Sequence, residues 1–143
     1  MKRKSIKVGV GEGQGMPPGY AWSVWILDMA FDEAMGFLNP QQYQHLALQM
    51  QDLATHDDPT HSLTLSVKAM AGEDFHELRD QGGVLGGMNV RVFYGIDKDS
   101  RAIVVLGCIK KQNDGRTPQG DLIRMRRRWR KYKNGDFGKP TVG

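Results

Sequence analysis

The sequence predicts an α+β fold: a small antiparallel sheet, helices toward the N-terminus and a basic C-terminal helix. Three observations carry this. Residues 40–56 and 117–133 place apolar side chains at steps of three and four, the period of an amphipathic helix. Between them, 63–70 and 89–96 alternate apolar and polar residues, and 102–109 is nearly all apolar, as half-buried and fully buried strands are. The links between these runs are short, which implies antiparallel neighbours. A chain of 143 residues accommodates one such domain. It divides into a glycine-rich head (1–19), one domain (20–134) and a tail (135–143).

In the head, glycine occupies every second position from Gly9 to Gly15, and Pro17-Pro18-Gly19 follows. Gln14 stands where a dinucleotide-binding fingerprint needs its third glycine, and the Lys-Ser/Thr ending of a phosphate loop is missing. The head therefore reads as a flexible linker. Tyr20–Leu27 is aromatic and β-branched, a strand. Phe31–Leu38 allows a helical turn or two. Asn39-Pro40 is a cap and first-turn pair for a helix whose stripe is Tyr43, Leu46, Ala47, Met50, Leu53 and Ala54. It ends near His56, before Asp57-Asp58-Pro59.

Leu63, Leu65, Val67 and Ala69 form the apolar side of the next strand, and Asp74–Arg79 the one after it. The glycine pairs 82–83 and 86–87 mark a loose connection. In 89–96, Val90, Val92, Tyr94 and Ile96 share one face, with Arg91 and Phe93 on the other. Ala102–Ile109 is the expected buried centre of the sheet. Lys110–Arg116 is a polar loop. Thr117 is the expected N-cap of the last helix, with Pro118 at its first position and Asp121 near its positive end. Leu122, Met125, Trp129 and Tyr132 form a narrow apolar stripe, cations fill the other side, and Asn134-Gly135 ends the helix.

Charge is unevenly spread. Residues 101–143 carry twelve Lys/Arg against three Asp/Glu, a net of +9, whereas residues 1–100 carry eight against thirteen, a net of −5. A basic end on a mildly acidic body reads as a polyanion-binding surface. No run approaches the length of a membrane span, and no apolar stretch follows the basic Met1–Lys4, so neither membrane insertion nor secretion is expected. A single cysteine, Cys108, forms no internal disulfide, which fits the cytoplasm. His56, Asp57, Asp58 and His61 lack a strong metal-ligand spacing and read as a helix end and a polar loop. No Ser-His-Asp or Cys-His arrangement is readable.

The ordered set Glu77-Leu78-Arg79, Arg91-Val92-Phe93-Tyr94, Ile103 to Lys111, and Thr117-Pro118 opening a basic helix resembles the phage-derived branch of the RelE/HigB toxins. The match spans 74–133; the glycine-rich head and the long Gln/Leu helix depart from it. The resemblance implies two N-terminal helices packed on a small antiparallel sheet, with a terminal helix. It implies a toxin–antitoxin component that cleaves messenger RNA without metal or cofactor, usually at the ribosome, and is silenced by an antitoxin, often a helix-turn-helix protein.

Cleavage of this kind turns a 2′-hydroxyl on the adjacent phosphate. It needs a proton acceptor, cations for the extra negative charge, and a proton for the leaving oxygen. The catalytic candidates are Arg91, Arg79, Lys110, Lys111 and His76. Arg91 is suited to a bidentate phosphate clamp or, alternatively, to a salt bridge with Glu77. Arg116, Arg124, Arg127, Arg128, Arg130 and Lys131 are the candidate RNA-phosphate contacts. A non-catalytic nucleic-acid-binding protein of the same fold, or a gyrase-directed ParE-like toxin, would use the same framework for other ends.

Overall fold

The computed structural model describes residues 20–80, 82–111 and 116–138, together with a strand at Ile6–Val8. The elements are β1 (Ile6–Val8), β2 (Ser23–Leu27), α1 (Asp28–Met35), α2 (Pro40–Ala54), β3 (Ser66–Ala69), β4 (His76–Asp80), β5 (Asn89–Asp97), β6 (Ala102–Lys111) and α3 (Gln119–Lys133). The fold is α+β, as the sequence predicts. All six strands form one sheet in the order β1-β2-β6-β5-β4-β3. The sheet therefore takes in Ile6–Val8, paired with β2, where the composition of the head predicts a flexible linker. The rest of the head, the loop residues 112–115 and the tail from 139 lie outside the described residues.

The successive strands β3 to β6 are antiparallel, as their short links require. β2 runs parallel to β6, from which two helices and three strands separate it, so no hairpin dictates its direction. β6 lies between β2 and β5, and Ala102–Ile109 are buried throughout.

Two layers of helix cover the sheet. α1 and α2 lie on one face, where Ala34, Leu46 and Met50 meet Val24, Ile26, Val92, Val105 and Cys108 around a small apolar cavity. Both Val105 and Cys108 reach this face because of a bulge. Phe93 pairs with Gly107 but Tyr94 with Val105, so Leu106 is an extra residue in β6 and the alternation shifts by one. α3 covers the other face through buried Met125, Trp129 and Tyr132. It comes close because two strand positions lack a side chain. A Cβ on Gly95 would lie 2.7 Å from the Trp129 ring, and one on Gly107 would collide with the Met125 thioether.

A local cap sets the start of α2 but not those of α1 and α3. α2 begins with a capping box: the Asn39 side chain accepts from Gln42 N at 2.8 Å, the Gln42 side chain accepts from Asn39 N at 3.0 Å, and Pro40 opens the helix. α1 starts directly from β2, three residues before the expected turn. At α3 Thr117 does not cap; Pro118 stands in that place without a side-chain bond, and the Thr117 hydroxyl serves a buried carboxylate instead. β3 is shorter and more exposed than the alternation 63–70 predicts. The Ser62 hydroxyl accepts from the N–H of Leu65 at 2.9 Å and of Thr64 at 3.2 Å, a local turn that competes with the ladder, and Leu63 is fully exposed. No helix among the described residues is long and apolar enough to cross a membrane.

Candidate nucleic-acid interface

The C-terminal ends of β4 and β6 and the N-terminal end of β5 meet at one end of the sheet, where α3 also begins. Arg79 sits directly opposite Arg91 across the β4–β5 ladder. Two guanidiniums so placed repel. Glu77, two residues before Arg79, resolves the conflict. Its Oε1 accepts from Arg79 Nε at 2.9 Å and its Oε2 from Arg91 Nη1 and from the Thr117 hydroxyl, both at 3.1 Å. Burial alone would push the Glu77 carboxyl up, but the Arg79 hydrogen bond and the Arg91 charge outweigh it and hold the group below its ordinary value.

This cluster decides between the two readings of Arg91. Its side chain is 1% exposed and the Glu77 side chain 0%, whereas Arg79 is 34% exposed. Arg91 is therefore the salt-bridge partner of Glu77 rather than an open phosphate clamp. The excess positive charge of the trio is presented by Arg79.

The lysine pair is split by the pleat. Lys111 pairs with Asn89 and so shares the face of Arg91; Lys110 pairs with Val90 and shares the opposite one. Lys111 Nζ donates to the carbonyl of Arg116, tying the start of the loop to its end, while Lys110 and Arg116 are exposed. His76 is not brought to this cluster. It pairs with Tyr94 on the α1–α2 face, with the rings stacked at 5.6 Å. Burial lowers its pKa further than Asp58 and Asp74 raise it, so the ring is a neutral, half-buried sheet residue. His61 Nδ1 lies 2.9 Å from Asp58 Oδ2 and His56 Nδ1 3.1 Å from the His61 carbonyl, an exposed loop network.

α3 divides the remaining cations. Arg128 makes a two-pronged ion pair with Glu33 of α1 at 2.9 and 2.8 Å and also donates to the Leu106 carbonyl at 2.8 Å. Glu33 Oε1 in turn accepts from Cys108 N at 3.1 Å. β2 pairs β6 only as far as Val105, and this clamp satisfies backbone groups that the ladder leaves beyond it. Arg124 joins Glu33 at 3.3 Å and Asp121 at 2.8 Å, and Arg126 pairs with Glu73. Arg124 and Arg128 are thus fold residues in the first instance. Arg127, Arg130 and Lys131 are exposed and join no ion pair among the described residues. Trp129 and Tyr132 are core, with Trp129 flat against Tyr132 and the Tyr132 hydroxyl donating to Asp97. The sequence reading missed Glu33: it lies 95 residues from Arg128, and nothing local marks it.

No family model matches this chain, and no curated protein matches it.

Proposed function

We propose that this chain is a RelE/HigB-type toxin: a metal-independent endoribonuclease that cleaves messenger RNA at the ribosome and is held silent by a cognate antitoxin. The observation that carries the reading is the exposed stripe Arg127, Arg130 and Lys131 on α3, a helix that starts beside Arg79 at the end of the sheet. The stripe suits phosphates without base preference. Arg79, oriented by Glu77, suits the charge that builds on the scissile phosphate; exposed Lys110 stands at the same end of the sheet on its other face. Arg91 and Thr117 fix Glu77.

A second reading has its own support. Arg91 is buried, and His76 stacks on Tyr94 four residues back from the end of β4, so two of five catalytic candidates do not meet a substrate in this arrangement. That favours a nucleic-acid-binding protein that does no chemistry. Induced expression followed by mapping of cellular mRNA ends separates the two. The toxin reading predicts growth arrest with new 5′-hydroxyl ends inside coding regions, and loss of both on the order of 10²-fold in Arg79→Ala. Intact messages in arrested or growing cells would leave the binding reading.

A further inference from the structure

Among the described residues, one histidine stands at the same end of the sheet as Arg79 and Lys110, and it is held by a carboxylate. His45, on α2, has its Nε2 2.6 Å from Asp80 Oδ2 at the end of β4. Gln49 Nε2 donates to the same oxygen at 3.0 Å, and Gly82 N to the other at 2.9 Å, so the carboxylate is fixed from three sides. The side chains are 30% and 15% exposed. Asp80 pairs with Val90 and Val90 with Lys110, which puts Asp80 and exposed Lys110 in one row on one face. Their Cα atoms are about 10 Å apart, two strand spacings. His76 lies four residues back along β4, and His56 and His61 are bonded in the loop after α2.

We infer that His45 and Asp80 form an acid–base dyad, His45 taking the 2′ proton and Asp80 positioning it; this rests on the endoribonuclease reading. An ionised carboxylate beside Nε2 keeps the proton on that nitrogen and leaves Nδ1 as the acceptor. The 2′-hydroxyl proton passes to Nδ1, the 2′ oxygen bonds to phosphorus, and the bond from phosphorus to the 5′ oxygen breaks. That oxygen takes a proton from the Lys110 ammonium. The products are a 2′,3′-cyclic phosphate and a 5′-hydroxyl, and solvent returns both groups to their starting forms. The charged group bonded to His45 is Asp80 on β4, with Lys110 in the same row on β6; its own helix adds the amide Gln49, and the turn Gly83–Leu85 brings no charge.

The test is single-turnover cleavage of mRNA on purified ribosomes, with ribosome binding and thermal melting alongside. His45→Gln should melt and bind like wild type and cleave about 10²- to 10⁴-fold more slowly. Asp80→Asn should also bind like wild type and cleave more slowly, because the imidazole loses the group that orients it. His45→Gln cleaving at the wild-type rate overturns the dyad while the endoribonuclease stands. If His45→Gln does not fold, Asp80→Asn cleaving at the wild-type rate overturns the dyad. Absence of cleavage by wild type overturns the endoribonuclease reading and the dyad with it.

Discussion

The inner and outer sides of α3 carry the same kind of residue in opposite chemical situations. On the inner side Arg128 lies against Glu33 and a strand carbonyl, and Arg124 reaches the same carboxylate. On the outer side Arg127, Arg130 and Lys131 are exposed and join no ion pair among the described residues. The sheet repeats the division one layer down, where Arg91 is sealed against Glu77 while Arg79, on the same carboxylate, reaches the surface. A count of positive charge treats all of these alike. Carboxylates drawn from distant parts of the chain sort them into residues that hold the fold and residues left exposed.

The sharpest way to break this division is Arg91→Ala. It strands a carboxylate that has no exposed atoms, and it should lower stability by about 3–5 kcal/mol in urea unfolding. A loss under about 1 kcal/mol would mean that Glu77 reaches water and that Arg91 is no fold residue. Gly95→Ala is expected next. Its Cβ would fall 2.7–2.8 Å from three atoms of the Trp129 ring, which must lift α3 or shift, at about 1–3 kcal/mol by the same measurement.

A smaller effect reads the same cluster through pH. The folded pKa of Glu77 lies below its unfolded value, so the group adds stability above about pH 4.3 and loses it as pH falls through the lower folded value. Glu77→Gln should therefore flatten the acid limb of a stability–pH curve recorded by thermal melting, below about pH 4.3. An acid limb identical to that of wild type would remove Glu77 from the balance.

The legible parts of the fold were those with local causes. The capping box at Asn39 and the stripe from Leu46 to Ala54 determine α2 almost unaided, and the apolar run 102–109 marks the sheet centre. The antiparallel pairing of β3 to β6 follows from their short links. What stayed hidden depends on distant partners. The parallel seating of β2 on β6, the bulge at Leu106 and the capture of Arg128 by Glu33 have no counterpart within a few residues. Thr117 shows how a local signal is overridden: a sound N-cap residue turned inward, because a buried carboxylate needed another donor. His45 was passed over for the same reason, since its partner Asp80 is 35 residues away.

The most direct test of the inner–outer division is the salt dependence of single-stranded RNA binding by wild type and by the triple variant Arg127→Ala/Arg130→Ala/Lys131→Ala. The triple variant should unfold within about 0.5 kcal/mol of wild type, because no described partner is lost. Its affinity should drop, and its slope of log K against log salt should be shallower by about 2, the release expected from three phosphate contacts. Unchanged affinity and slope, or a loss of stability comparable to that of Arg91→Ala, would contradict the assignment of the outer face to RNA.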